Sequence, residues 1–171
     1  MGLSAFEKPP TKRRDVHVMS TDFQFTGQME VLGNIVNFLN DARRDSISLY
    51  DAHLTPLTPG SPMKGLSRDH VVVRRPSLVF VYFDDKEVRD DIQPLIGKAL
   101  LVAYTPVAVC RGYFHMSAEA NVRDFLDVSQ GDMLVVTEAM VFPLVEFPAP
   151  FPEKADKLFI CRKQILSYHP G

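Results

Sequence analysis

Alternating apolar and polar positions predict that most of this 171-residue chain folds into β-strands. Residues 16–31 and 98–116 each contain two apolar or alternating runs around a short turn, which is the pattern of a β-hairpin. Later apolar runs in each part of the chain end at proline-rich loops and predict further strands. The run at 133–142 is almost entirely apolar, so we expect that strand to be the more deeply buried.

A short helix is predicted after each hairpin. Ile35, Phe38 and Leu39 recur at spacings of three and four residues, which places them on one face of a helix. Residues 122–126 repeat this apolar stripe. Each part of the chain therefore has the predicted order strand, strand, helix, strand, strand, strand.

The two parts are also similar residue by residue. Residues 34–57 match residues 121–144 without gaps at 7 of 24 positions, where average composition gives about one or two identities. The identical pairs are Asn34/Asn121, Phe38/Phe125, Leu39/Leu126, Asp45/Asp132, Ala52/Ala139, Pro56/Pro143 and Leu57/Leu144. This similarity predicts an internal duplication.

We therefore predict a mainly β (α+β) protein of two tandem small β-barrel-like repeats related by pseudo-twofold symmetry. The predicted parts are a flexible N-terminal tail (1–14), a first repeat (15–84), a charged linker (85–97) and a second repeat (98–171). A repeat of this size buries little apolar surface alone. We expect each repeat to cover an apolar face of the other, as in a fused homodimer.

Composition and charge exclude several classes of protein. The chain is 46% hydrophobic and has a formal net charge of −2, without the basic excess that is usual for phosphate neutralisation. No apolar run is long enough for a signal peptide or a bilayer span. We expect a cytoplasmic protein with no membrane partner.

The two cysteines, Cys110 and Cys161, lie in apolar runs and lack CxxC spacing. This context favours buried thiols in strands, and one disulfide between neighbouring strands is the alternative. The five histidines do not have the spacing of a metal site. The sequence therefore predicts no metal and no cofactor.

Parts of each repeat resemble the Sm-like family of small five-stranded barrels. Gly27 and Gly112 lie where that family has a glycine in its second strand, and the runs VVVRRPSLVFV and FICRKQILSY resemble its last hairpin. The inserted helix and the absence of a glycine in either basic turn depart from the family pattern. The repeats also resemble an uncharacterised group of bacterial domains with an Asp-Phe-Leu helix. The Sm-like resemblance implies a barrel and RNA binding, with Asn34 and Asn121 nearest to the RNA-contacting residues.

Catalytic chemistry has little support in the sequence. Asp51 and His53 are two apart in a predicted strand and could form an acid–base pair. The corresponding residues of the second repeat are Glu138 and Met140, so the pair is not part of the repeat. GxSxG, P-loop and GxGxxG motifs are absent. We predict that the protein is not an enzyme.

Three sets of residues are candidates for binding. The basic hairpin turns recur in both repeats, at Arg74-Arg75 and Arg162-Lys163, and could contact phosphates or an acidic partner. Asn34 and Asn121 begin the helices, and their type also suits helix caps. Phe147 and Phe151 lie in a proline-rich loop that could act as a lid or as a docking point.

The leading hypothesis for function is a non-catalytic interaction or regulatory binding module, with protein as the expected partner. The alternative is an Sm-like RNA-binding protein that uses the basic turns. In both cases the groove between the repeats is the expected place for a ligand. The oligomeric state is left open.

Overall fold

A computed structural model describes residues 11–118, 121–129 and 131–171 of the chain. These residues form a mainly β structure with few helices, which confirms the predicted class. Most of the predicted tail, residues 1–10, lies outside the described residues. The last residues of that tail are described, and they belong to the first strand, which begins at Lys12.

Ten strands and three short helices account for the regular structure of the described residues. The strands are β1 (Lys12–Ser20), β2 (Phe23–Val31), β3 (Ser46–Pro56), β4 (Leu66–Arg74), β5 (Leu78–Phe83), β6 (Gly97–Tyr104), β7 (Ala108–Met116), β8 (Met133–Pro143), β9 (Lys154–Cys161) and β10 (Ser167–Pro170). The helices are α1 (Ile35–Leu39), α2 (Lys86–Asp90) and α3 (Phe125–Val128), and 3₁₀ turns occupy Arg75–Ser77 and Arg162–Gln164. None of the helices in the described ranges is long and apolar enough to cross a membrane.

All ten strands belong to one antiparallel sheet, in the order β10-β6-β7-β8-β9-β5-β1-β2-β3-β4. The first half of the chain, β1 to β5, is ordered β5-β1-β2-β3-β4, and the second half, β6 to β10, is ordered β10-β6-β7-β8-β9. The halves join where β5 pairs with β9, through Phe80 opposite Ile160 and Val81 opposite Phe159.

This arrangement differs from the predicted pair of barrels. The sheet is not closed, because β4 and β10 are its outer strands and each pairs with one neighbour among the described strands. The two halves also join head to tail, because the fifth strand of the first half (β5) pairs with the fourth strand of the second half (β9). A twofold arrangement would pair β4 with β10 as well as β5 with β9. The pairing of β5 with β9 gives hydrogen-bond partners to backbone N–H and C=O groups at the edges of both strands. In two closed barrels, pairing within each barrel would supply those partners.

β3 and β8 contain the same irregularity. Asp51 in β3 has φ 46° and Glu138 in β8 has φ 51°, values that side-chain-bearing residues adopt rarely. The register with the preceding strand shifts at the same point, opposite Gly27 and Gly112. A Cβ on these glycines would lie 2.9 and 3.1 Å from a backbone oxygen of the bulged strand. The close approach of the bulge therefore requires glycine.

β8, the neighbour of the junction strand β9, contributes side chains to two hydrophobic cores. In β8, Met133 and Val135 belong to one core, while Leu134 and Val136 belong to the other. Successive side chains of a strand point to opposite faces, so β8 lies between the cores. This confirms that β8 is the more buried strand, and it means that each core contains residues from both halves.

Candidate functional site

The two basic turns lie side by side at the junction of the halves. The Gln164 side chain donates a hydrogen bond from Nε2 to the Pro76 carbonyl oxygen at 2.6 Å, which links one turn to the other. Between them is a cleft of about 350 Å³. The sequence places these turns almost ninety residues apart, and only the β5·β9 pairing brings them together.

Four cationic and two acidic side chains line this cleft, which we call the junction cleft. They are Arg44, Arg75, Arg162 and Lys163, with Asp45 and Asp132. The side chains of Arg44 and Lys163 are 42% and 61% exposed, and each is also paired with one carboxylate, that of Asp41 or Asp132. The excess of positive charge makes the cleft attractive to an anion.

Arg75 and Arg162 hold corresponding loops in the two halves. The Arg75 guanidinium donates to the carbonyl oxygens of Asp41 and Arg44, both at 2.6 Å. The Arg162 guanidinium donates to the carbonyl oxygens of Leu126 and Ser129, at 3.0 and 3.1 Å. Each arginine thereby ties the region around a short helix to the 3₁₀ turn after β4 or β9, which fixes one wall of the cleft. The strands on either side of these turns do not pair with each other, so the closing hairpins that the sequence predicted do not form.

Asp132 organises the second basic turn. Its carboxylate accepts hydrogen bonds from Arg162 Nη2 at 3.0 Å and from Lys163 Nζ at 2.9 Å. Burial alone would raise the pKa of this carboxyl. The hydrogen bonds from Lys163 and Arg162 outweigh burial and lower the pKa of Asp132 below its usual value. Asp132 is therefore ionised at neutral pH and offsets part of the positive charge in the cleft.

Asn40 lines the junction cleft and connects the halves. Its Nδ2 donates to the carbonyl oxygens of Val36 and Met133, both at 3.0 Å, and its Oδ1 accepts from the Met133 amide at 2.8 Å. A Cβ on Gly131 would lie 2.5 Å from the Asn40 Oδ1 atom. The absence of a side chain at Gly131 therefore leaves room for this bridge.

Other predicted binding residues lie outside the junction cleft. Arg74 is exposed but does not line it. Asn34 caps α1, where its Oδ1 accepts from the Asn37 amide at 3.1 Å, and Asn121 Oδ1 accepts from the Arg123 amide at 3.0 Å. Both asparagines thus have a local role in shaping turns, as the residue type suggests.

The loop with Phe147 and Phe151 folds back on the molecule. The two rings lie 5.8 Å apart, and Phe151 packs against His17, Phe80 and Tyr82 of the first half. The loop thereby covers apolar surface across the junction. Its two aromatic side chains are half-buried and make internal contacts.

Asp51 and His53 are separated by the bulge in β3. The His53 ring pairs through Nδ1 with the Ser67 hydroxyl at 3.0 Å. Asp51 lines a shallow hollow of about 270 Å³ together with His17 and Asp84, on another part of the surface. The positive φ of Asp51 breaks the strand's two-residue period, so the expected same-face pairing does not form.

The hollow contains a His–Asp pair that sequence patterns do not indicate. His17 Nε2 lies 2.8 Å from Asp84 Oδ2, between residues 67 positions apart in the chain. The other ring nitrogen, Nδ1, is buried and has no hydrogen-bond partner in the described part of the chain. Because that atom is closed off from solvent, it is poorly placed to take a proton from a substrate. No group of three or more His, Cys, Asp or Glu residues in the described ranges is placed to hold a metal ion.

Cys110 and Cys161 are buried free thiols, so the alternative of a disulfide is not realised. They lie on β7 and β9, with β8 between them. Burial raises the pKa of the Cys110 thiol to about 12 and also raises that of Cys161. Both side chains therefore act as small apolar groups rather than nucleophiles.

Comparison with known proteins finds no matching family model, no similar curated protein and no similar solved structure. The resemblance to Sm-like barrels stays a prediction from short motifs.

Proposed function

We propose that this protein is a non-catalytic binding module whose ligand places an anionic group in the junction cleft. The observation that carries the proposal is the meeting of both basic turns at one cleft of about 350 Å³. Arg44 and Lys163 supply exposed positive charge there, while Arg75 and Arg162 hold the walls. A concave site with a few convergent polar groups is the usual form of a small-ligand site.

We also propose that the module arose by duplication of a five-stranded unit. Ser20 and Thr105 support this, because each hydroxyl accepts from two amides of its own hairpin turn and donates to a carbonyl three residues on. The equivalent guanidinium bonds of Arg75 and Arg162 support it too. In this proposal the site is created by the contact between the copies.

A titration with ethyl phosphate at low ionic strength tests the anion site. We expect amide NMR shifts at residues 44, 162 and 163, and a fall in affinity of about fivefold in Lys163→Gln, since one exposed charge contributes up to about 1 kcal/mol. Arg74→Gln is the matched control, because Arg74 belongs to a basic turn but does not line the cleft. Absence of binding, or equal losses in both variants, would contradict the proposal.

Single-stranded RNA is a second candidate ligand. The adjacency of the two turns favours it, since a phosphate backbone could contact basic residues of both turns. Against it, the guanidinium groups of Arg75 and Arg162 already bond to carbonyl oxygens. RNA binding requires an affinity that falls steeply with salt and that weakens in Arg74→Gln. Unchanged RNA affinity in that variant would exclude this mode.

The protein partner and the cytoplasmic location that the sequence suggests stay predictions. A regulatory role would couple the ligand in the cleft to such a partner. A pull-down with purified candidates, with and without the anionic ligand, is the direct measurement. Binding that is the same in both conditions would argue against coupling.

A further inference from the structure

A second hollow continues from the junction cleft along the seam between the halves. This apolar groove, of about 390 Å³, shares Asn40, Gly131 and Met133 with the cleft. A third hollow of about 180 Å³ extends it further and shares Leu95, His115 and Leu134. The three hollows are therefore neighbours along the junction, and the first of them has the cationic lining.

Apolar side chains dominate the groove beyond the cationic end. Val36 lines the middle, and Leu134 lies between the second and third hollows. Leu95 and Val128, at the far end, are 59% and 54% exposed. Exposed apolar side chains that line the same hollow indicate a surface that binds a ligand or a partner.

Two of the polar side chains that line the groove, His115 and Asn40, are bonded within the protein. His115 pairs through Nδ1 with the Leu95 carbonyl oxygen and through Nε2 with the Thr137 hydroxyl, both at 2.8 Å. A carbonyl only accepts, so Nδ1 carries the proton in the first of these bonds. The side chain of Asn40 makes three hydrogen bonds across the junction. The groove therefore offers contact surface to an apolar chain, and its polar side chains other than the exposed Asn37 and Gln93 are already bonded.

We propose that the groove and the junction cleft together bind one elongated amphiphile. Its anionic head, a phosphate or a carboxylate, lies beside Arg44 and Lys163, and its unbranched apolar chain lies against Val36, Leu95 and Leu134. This inference rests on the proposed anion site and adds the chemical class of the ligand. The charge of the junction cleft favours an anionic head, and the neighbouring hollows with shared lining residues favour an extended chain.

A chain-length series tests the proposal on the full-length protein. Ethyl, hexyl, octyl and dodecyl phosphate, each below its aggregation concentration, are titrated by calorimetry or NMR. We expect affinity to rise about fourfold for each methylene that the groove buries. Dodecanoate should bind like dodecyl phosphate, whereas dodecyltrimethylammonium, with the same chain and a cationic head, should not. Affinity that does not rise with chain length would overturn the inference.

Two leucine variants separate the groove from general surface effects. Leu95→Ser should lower dodecyl phosphate affinity about fivefold, because roughly half of this side chain is left for the ligand to cover. It should leave ethyl phosphate affinity unchanged. Leu166→Ser is the matched control, since Leu166 is 69% exposed and does not line the groove. Equal effects of the two variants would refute the assignment of the chain to this groove.

The outcomes distinguish this inference from the function on which it rests. If neither ethyl nor dodecyl phosphate binds, the anion site itself is wrong. If ethyl phosphate shifts the cleft amides but dodecyl phosphate binds no more tightly, only the amphiphile is wrong. Binding to anionic lipid vesicles without binding to monomeric dodecyl phosphate would also overturn it, because the proposed occupant is a single molecule.

Discussion

Gln24 links the two halves through its side chain, and its replacement is the sharpest test of how the junction is held together. The residue is 1% exposed. Its Nε2 donates to the carbonyl oxygens of Ala149 and Pro150, at 2.8 and 3.3 Å, and its Oε1 accepts from the Ala149 amide at 3.1 Å. These bonds fasten the loop that carries Phe147 and Phe151 to β2.

Gln24→Met keeps the size of the side chain and removes all three hydrogen bonds. A buried N–H group without a partner costs about 1–3 kcal/mol. The Pro150 carbonyl belongs to an exposed residue and can turn to water, so it adds little. We expect a loss of about 2 kcal/mol in the free energy of unfolding, which corresponds to a fall in Tm of about 4–8 °C for a chain of this length.

Urea denaturation and amide hydrogen exchange measure this effect. The exchange of the Ala149 amide should speed up in Gln24→Met, because its acceptor is gone. Gln28→Met is the matched control, since Gln28 is on the same strand and donates to the exposed Asp15 carboxylate at 3.1 Å. That variant should change stability by less than about 0.5 kcal/mol. The reasoning is refuted if the two variants are equally stable and Ala149 keeps its protection.

Three further predictions follow from particular residues. Glu138→Gly should raise the free energy of unfolding by up to about 1 kcal/mol, because glycine adopts positive φ without strain, whereas Glu138→Ala should not. Gly112→Ala should destabilise by about 1–3 kcal/mol, since the new Cβ would lie 2.6 Å from Val136 Cγ1; an unchanged urea midpoint would contradict this. Asp132 has a lowered pKa in the folded state, so its stabilising effect is present above the unfolded pKa and is lost as pH falls through the folded pKa. Asp132→Asn should therefore be less stable at pH 7, show a weaker loss of stability in acid, and bind ethyl phosphate more tightly because one competing carboxylate is gone.

The strands and short helices are predictable from the sequence because the spacing of apolar residues within each element indicates which of its faces is buried. Alternation in 16–31 predicts the β1–β2 hairpin, and the apolar run of β8 predicts its burial on both faces. The first predicted helical stripe is found in α1, which ends at Leu39, whereas the second is found only in part because α3 begins at Phe125. The bulge at Asp51 is not visible in this pattern, because a positive φ at a non-glycine residue leaves no regular signature.

The sequence predicts only part of the candidate site. The recurrence of basic turns identifies Arg75, Arg162 and Lys163 as residues of interest, and all three line the junction cleft. Arg44 is a further positive charge in the sequence, but no sequence pattern predicts that it lies beside these three residues. The pairing of His17 with Asp84 joins residues 67 positions apart and also has no local signal.

The sequence by itself determined the mainly β class, the short helices and the similarity between the two parts of the chain. Only the tertiary structure decided that the parts join head to tail in one open sheet rather than as two closed barrels. The pairing of Phe80 with Ile160 settles this, and it creates the junction cleft and its apolar groove. The physical reason is that backbone hydrogen bonds between strand edges are independent of side-chain type, so the sequence pattern does not record which edges meet.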